Sequence, residues 1–194
     1  PEVITFEADL TDRGAIPGMV ARLRDESGPP TMLINNAGIQ QNHPWPGTDG
    51  GELVHLLRQE LEVNLVTPLT LTALLLPDLV AADEGVVVNV TSILATTPKR
   101  SAPVYCATKA ALRSFTDALR YQLEDHPGVR VVEVVPPLME TAMTTGRGSG
   151  KISPAEAAEQ VVAGLEAGRE RIDIGKAEHV RALNRIEPGR VPSL

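Results

Sequence analysis

The stretch GVVVNVTS, residues 85–92, decides the fold class of this chain. Residues 85–90 are apolar apart from Asn89, and such a continuous run is typical of a central parallel strand that is buried on both faces. Parallel strands are joined by helical crossovers, and ligands bind at their carboxyl ends. The stretch therefore predicts an α/β sheet with functional residues close to Ser92.

Strands and helices alternate along the rest of the chain. Apolar, β-branched runs predict further strands at residues 3–8, 32–35, 129–135 and 171–174. Apolar residues at helical spacing predict helices at residues 13–26, 52–82, 103–124 and 153–167, the second bent or broken at Pro68 and Pro77. Residues 40–51 and 136–152 are rich in glycine and proline and are predicted loops. The alternation predicts a doubly wound parallel sheet, which is a Rossmann-like α/β fold.

The composition narrows the function classes. The 194 residues are 42% hydrophobic and carry a formal net charge of −7 that is spread along the sequence, which argues for one globular domain and against nucleic acid as a partner. A single cysteine, Cys106, excludes an intrachain disulfide, and the chain does not open on a signal segment. We find no apolar run long enough to span a bilayer. We therefore expect a cytoplasmic protein with no membrane partner and no metal site.

The residues Tyr105 and Lys109 carry the strongest chemical signal. A spacing of four on a helix places the phenol and the ammonium on one face, one turn apart. A phenol with a pKa near about 10 is a poor acid or base at neutral pH, and a neighbouring ammonium lowers that pKa. Tyr105 could then exchange a proton with a substrate oxygen. Taken alone, the pair is equally consistent with an exposed pair on an amphipathic helix.

Other polar residues supply the context for this pair. Ser92 follows the strand at residues 85–90, where its hydroxyl could hold a substrate oxygen. Asn64 lies inside a leucine-rich helix, where asparagine is unfavourable, so it has either a structural or functional duty or a solvent-facing position. The sequence Asn35-Asn36-Ala37-Gly38 ends a buried strand with small and amide residues. It either lets a flat cofactor approach the backbone or forms an ordinary turn.

Together these residues resemble the short-chain dehydrogenase/reductase family over almost the whole chain. Asn35, Asn36, Ala37 and Gly38 resemble its Asn-Asn-Ala-Gly strand end, and its catalytic tetrad is matched in family order by Asn64, Ser92, Tyr105 and Lys109. The sequence departs from the family at Pro137, where glycine is usual. The resemblance implies an oxidoreductase that transfers a hydride between NAD or NADP and a small carbonyl or alcohol substrate.

The resemblance also implies a role for each residue. Ser92 would position the substrate oxygen, Tyr105 would be the general acid or base, Lys109 would lower the pKa of Tyr105 and bind the ribose, and Asn64 would hold a water. The implied cofactor contacts are Asp9 and Leu10 at the adenine, Thr141 at the nicotinamide carboxamide, and also Asn36, Ala37, Gly38, Tyr105, Lys109 and Pro136. The helices at residues 52–82 and 103–124 would pair across a two-fold axis in a homodimer or homotetramer.

The glycine-rich turn that binds a pyrophosphate in such folds does not occur before Asp9. We therefore expect residues 1–194 to form one incomplete Rossmann-like domain that lacks its N-terminal strands and helices, either as a fragment, as a chain completed by another polypeptide, or as a shortened scaffold. The scaffold, a non-catalytic partner subunit without its own dinucleotide loop, is the alternative function. The strand at residues 3–8 should pair with residues 32–35 or with a separate segment between them, and dinucleotide binding should be weak.

Three residues near the predicted site have two interpretations each. His43 and Trp45, in the loop after Gly38, either line a substrate pocket or hold a proline-rich loop in place. Cys106 is interpreted as a small packing residue rather than a nucleophile, because nothing beyond Lys109 marks its thiol as activated.

Overall fold

The computed structural model describes residues 3–146 and 148–186, and its centre is a four-stranded parallel sheet. The strands lie in the order β1–β2–β3–β4 and comprise Met32–Asn35, Gly85–Val90, Val129–Val135 and Arg171–Asp173. Val87 of β2 lies opposite Leu33 of β1 and Val131 of β3. The α/β fold with a parallel sheet, predicted from GVVVNV, is confirmed.

Six helices flank the sheet within the described residues: α1 (Ala15–Ser27), α2 (Gly50–Leu61), α3 (Thr67–Ala81), α4 (Pro103–Gln122), α5 (Pro154–Glu166) and α6 (Ala177–Ile186). Helices α1 to α5 match the predicted ones, and α6 was not predicted. The predicted cap of α5 is present, because the Ser153 hydroxyl accepts a hydrogen bond from the Glu156 amide at 3.2 Å.

Both faces of β2 are buried, as the apolar run predicted, whereas Met32 and Ile34 leave one face of β1 exposed. Val87 and Val131 point into a core with Leu75 and Leu79 of α3 and Leu119 of α4. Val86 and Val88, which alternate with Val87 along β2, point into a second core that includes Ala157 of α5. Side chains alternate between the faces of a strand, so a strand covered on both sides is apolar at most positions, and Asn89, the polar residue of β2, is hydrogen-bonded.

The long predicted helix forms one continuous helical run, Gly50–Ala81, in which α2 and α3 are joined by a π-helical turn at Glu62–Val66. The sequence predicts bends or breaks at Pro68 and Pro77, but the departure from α-helical geometry lies elsewhere, at the π-helical turn. Pro68 occupies the first turn of α3, where a missing N–H is tolerated, and Pro77 lies inside α3 without ending it. The π turn instead surrounds Asn64, and such turns are frequent at functional sites.

By length and composition alone, the 32-residue run Gly50–Ala81 is apolar enough to cross a membrane, which corrects the expectation that no segment is. One such helix is weak support for a membrane span, because core helices of soluble proteins meet the same test. Here the run packs against α1, α4 and the strands β1 and β2.

The predicted strand at residues 3–8 is wrong. The described part of this segment has no regular structure, and Val3 and Ile4 are 81% and 44% exposed. A strand needs a neighbour for its amides and carbonyls, but β1 pairs within the described residues only with β2. Direct pairing of residues 3–8 with β1 is therefore not adopted. The chain is anchored further on, where the Thr67 hydroxyl donates to the Leu10 carbonyl at 2.7 Å.

Candidate active site

The carboxyl ends of β2 and β3 are held together around Ser92. Ser92 is 7% exposed, and its Oγ accepts a hydrogen bond from the Leu94 amide at 3.1 Å, which caps a short 3-10 turn. The Ile93 amide donates to the carbonyl of Pro136, the first residue after β3, at 3.2 Å. The hydroxyl of Ser92 thus has a fixed position at the edge of the sheet where such folds bind ligands.

Tyr105 and Lys109 lie one turn apart near the start of α4. The Lys109 ammonium is 5.8 Å from the centre of the Tyr105 ring and donates to the Val90 carbonyl at 2.8 Å. Lys109 is 3% exposed and Tyr105 is half-buried. The burial of Lys109 argues against the alternative of an exposed pair, because an ammonium of such a pair would remain hydrated at the surface and burying it costs free energy.

Burial dominates the electrostatics of this pair. It lowers the pKa of Lys109 from 10.5 to about 8. Burial also raises the pKa of the Tyr105 phenol above its usual value of 10.0, while the hydrogen bond with Ser92 acts in the opposite direction. The spacing of the pair predicts that Lys109 lowers the pKa of Tyr105. In this chain the net shift is upward, because the cost of burying a phenolate exceeds the effect of its neighbours.

The π-helical turn presents Asn64 to the end of β1. The Oδ1 of Asn64 accepts from the Ile39 amide at 2.8 Å, and its Nδ2 donates to the Ile39 carbonyl at 2.8 Å and to the Thr108 hydroxyl at 3.3 Å. A Cβ on Gly38 would lie 3.3 Å from this Oδ1 and 3.5 Å from the Lys109 Nζ. Glycine at position 38 therefore lets the strand end pass close to both residues. Both Nδ2 hydrogens of Asn64 are used in these bonds. The predicted water could therefore bind this side chain only at the second lone pair of Oδ1.

The predicted cofactor contacts divide into two groups. Asn36 and Ala37 are exposed directly after β1, beside Gly38 and the Lys109 ammonium. Asp9 and Thr141 belong to the second group, which the structure places outside the hydrogen-bonded cluster of the tetrad. The Asp9 carboxylate is exposed and accepts from the Thr11 amide and hydroxyl, and these bonds lower its pKa. Thr141 is exposed and precedes a 3-10 turn at Ala142–Thr144.

Asn35 has a structural role within this strand end. Its Nδ2 donates to the Asn89 Oδ1 at 2.8 Å and to the Thr72 hydroxyl at 3.2 Å. The Nδ2 of Asn89 donates in turn to the Thr116 hydroxyl at 2.9 Å. These buried bonds connect β1 and β2 to α3 and α4, and so fix the helix that carries Tyr105.

Glu60, which no sequence pattern singled out, has its side chain buried on α2. Glu60 is 2% exposed, and its Oε1 accepts from the Gln41 amide at 2.9 Å. Burial raises the pKa of this carboxyl, while the Gln41 amide and the charge of His43 act against the increase. Glu60 precedes Asn64 by one helical turn and shares its face, but this spacing does not show that the carboxyl is buried.

Glu60 also lines a small cavity that is partly open to solvent. His43 and Trp45 both line it, in accord with the pocket-lining interpretation. Cys106 is buried, its Sγ accepts from the Lys99 amide at 3.2 Å, and burial raises the pKa of its thiol. An uncharged, buried thiol of this kind agrees with a packing role.

The chain is similar to known proteins over most of its length. A family model described as short chain dehydrogenase matches residues 1–151. The chain is 34% identical to the uncharacterized oxidoreductase DltE of Bacillus subtilis, covering 98% of this chain and 77% of that protein. It is 32% identical to the NADP-dependent 3-hydroxy acid dehydrogenase of Schizosaccharomyces pombe over 76% of this chain but only 56% of that enzyme. A short chain dehydrogenase from Burkholderia cenocepacia, solved in complex with NADP, superposes with a TM-score of 0.81 at 31% identity, over 95% of this chain and 76% of that structure.

Proposed function

The chain belongs to the short-chain dehydrogenase family of oxidoreductases, and on that premise we propose that it transfers a hydride between NAD or NADP and a small carbonyl or alcohol substrate. The observation that carries the proposal is the buried Lys109, held one turn from Tyr105, with the Ser92 side chain near enough to act on the pKa of the Tyr105 phenol. A phenol, an ammonium and a hydroxyl at one sheet edge are the groups that proton transfer at a substrate oxygen requires.

The donor set fits the ribose of a nicotinamide nucleotide. Lys109 is a buried ammonium whose pKa is shifted by burial alone, so within the described residues no carboxylate compensates its charge. Neutral hydroxyls accept hydrogen bonds from such an ammonium. Asn36 and Ala37 are exposed, so a flat group can approach the chain beside Lys109. The nicotinamide supplies or accepts the hydride when it is bound.

Each residue of the tetrad then has one task. Ser92 donates to the substrate oxygen and holds it against Tyr105, which gives or takes the proton at that oxygen. Lys109 binds the ribose hydroxyls, and its positive charge favours the phenolate of Tyr105. Asn64 fixes Ile39, and with it Gly38, beside Lys109. The Burkholderia and Schizosaccharomyces relatives, one solved with NADP and the other named NADP-dependent, favour testing NADP(H) beside NAD(H).

Titration of the chain with NADH and with NADPH, followed by nicotinamide fluorescence, tests this proposal. We expect saturable binding of at least one of them, and oxidation of a simple alcohol such as 1-phenylethanol when the matching oxidised cofactor is added. Binding weaker than is usual for the family would agree with the expectation of an incomplete domain. If neither dinucleotide binds at millimolar concentration, the proposed function is wrong and the scaffold alternative is favoured.

We further propose that the chain forms a homodimer or homotetramer through α2, α3 and α4. Val54 of α2, Val80 of α3 and Tyr121 of α4 are 47%, 38% and 69% exposed, and association across a two-fold axis would bury such side chains. Light scattering at micromolar concentration should give at least twice the mass of the chain, and Val54→Lys should lower it. A monomer under these conditions would contradict the proposed interface.

A further inference from the structure

The proposed reaction does not use the buried carboxyl of Glu60. This carboxyl instead contacts the loop that follows β1. Glu60 and Asn64 lie one turn apart on the same helical run and hold neighbouring loop residues. The Oε1 of Glu60 accepts from the Gln41 amide at 2.9 Å, and Asn64 forms two hydrogen bonds of 2.8 Å with the backbone of Ile39. These three hydrogen bonds attach the backbone of residues 39–41 to the helix.

Burying a carboxyl at this position lowers the stability of the folded state. Burial disfavours the carboxylate, and an apolar side chain of similar size is often more stabilising at such a site. The presence of this carboxyl is explained if its hydrogen bond to the Gln41 amide sets the position of the residues that follow Gln41. Among the described residues, the Gln41 amide is the one hydrogen-bond donor to Glu60, and His43 and Trp45 follow it by two and four residues.

The residues after Gln41 form one wall of the cavity described above. His43 and Trp45 face Leu53 and Leu57 of α2 and Pro103 and Val104 of α4. Val104 immediately precedes Tyr105, and the charge of Glu60 is among the influences on the pKa of Tyr105, after burial. Glu60, which lines the cavity, is thus near enough to the phenol for its charge to act on the pKa of Tyr105. Most of the residues that line the cavity are apolar.

We propose that Glu60 is a positioning residue: by holding the Gln41 amide it keeps His43 and Trp45 across the start of α4, where they complete a pocket for the apolar group of the substrate. The proposal rests on the proposed function and names its substrate class, a carbonyl or alcohol with an uncharged alkyl or aryl substituent. The carboxyl of Glu60 disfavours a substituent that carries a negative charge.

Trp45 gives this proposal a readout that does not depend on activity. It is the single tryptophan of the chain and is 52% exposed, so fluorescence excited at long wavelength reports on this loop. Glu60→Leu fills the same space but cannot accept a hydrogen bond, and we expect a longer emission wavelength and stronger quenching by acrylamide. Glu60→Gln keeps a carbonyl acceptor and should behave like the parent. Glu60→Asp, with a shorter reach, should give a smaller change in the same direction as Glu60→Leu.

Gln59→Ala is the matched control on the same helix. It removes the hydrogen bond of 3.0 Å from the Gln41 side chain but leaves the Gln41 amide on Glu60. We expect this variant to keep the parent's emission and quenching. If Glu60→Leu and Glu60→Asp also match the parent, Glu60 does not hold the loop and the proposal is overturned.

Kinetics with two alcohols test the pocket. With 1-phenylethanol, Glu60→Leu should raise KM by about tenfold with little change in kcat, whereas KM for 2-propanol should change by less than about twofold, because only the larger substrate fills the pocket. Glu60→Gln should restore the parent's values. Equal changes for both alcohols would overturn the assignment of the pocket.

Failure of the proposed function gives a different result. In that case the parent oxidises neither alcohol, but 1-phenylethanol should still change the emission of Trp45 in the parent and do so more weakly in Glu60→Leu. If 1-phenylethanol leaves the emission of the parent unchanged, the pocket does not take an apolar substituent and the inference itself is wrong.

Discussion

Replacing Tyr105 with phenylalanine should reduce kcat by about a thousandfold, which is the usual scale for losing a general acid or base. The substitution removes only the phenolic oxygen, so no other group at this position can exchange a proton with the substrate oxygen. Ser92 remains hydrogen-bonded to the Leu94 amide and keeps its position. We therefore expect dinucleotide binding and thermal unfolding close to those of the parent, with activity measured as the change in absorbance of the reduced nicotinamide.

The second tyrosine of the chain provides a matched control. Tyr121 lies on α4 as well but is 69% exposed, so Tyr121→Phe removes the same atom from the same helix without touching the site. This variant should retain full activity. Turnover by Tyr105→Phe at the rate of Tyr121→Phe would remove Tyr105 from the proposed mechanism.

Sequence patterns predicted the elements whose burial is complete. The strands Gly85–Val90 and Val129–Val135 have the predicted bounds, because a strand covered on both faces is largely apolar and its apolar run ends at a distinct residue type, here Thr91 and Pro136. The pair Tyr105 and Lys109 was predictable for a related reason. The period of a helix fixes which side chains share a face, whatever the helix packs against.

Features that depend on a distant partner were not predictable in the same way. Residues 3–8 have the composition of a strand, but a strand exists only if another strand accepts its hydrogen bonds, and composition does not state whether one is present. The π-helical turn at Glu62–Val66 likewise arises where Asn64 meets the Ile39 backbone, and helical periodicity contains no sign of it.

The site was predicted in its chemistry but not in its electrostatics. The spacing of Tyr105 and Lys109 suggested that the ammonium would dominate the pKa of the phenol. In the folded chain both groups are removed from water. Burial raises the pKa of Tyr105 and lowers that of Lys109, so it favours the neutral form of each. The depth of burial depends on how β2, α2 and α4 pack together, and a local spacing does not report it. Glu60 was overlooked for the same reason, since a glutamate on a helix is usually exposed.

Replacing Lys109 with methionine should weaken dinucleotide binding by about 10- to 100-fold, because hydrogen bonds from a charged group to the ribose are lost. Alcohol oxidation requires Tyr105 as phenolate, and removal of a nearby positive charge raises the pKa of Tyr105. The rate of oxidation should therefore reach its half-maximum at a higher pH than in the parent. Because the pKa of Lys109 is about 8, the difference between the two proteins should be largest below that pH. An unchanged pH profile would contradict the role of Lys109.

The same substitution should change how stability depends on pH, and this test needs no substrate. Lys109 loses its proton near pH 8 when folded and near 10.5 when unfolded, so between these values the unfolded chain binds more protons and the parent becomes more stable as pH rises. The gain is about 3 kcal/mol if the full shift is expressed. Lys109→Met should lack this increase and should be no less stable than the parent near pH 7. Lys176→Met, which removes an exposed lysine, should keep the parent's dependence, and the same slope in Lys109→Met would show that Lys109 is not a buried ammonium.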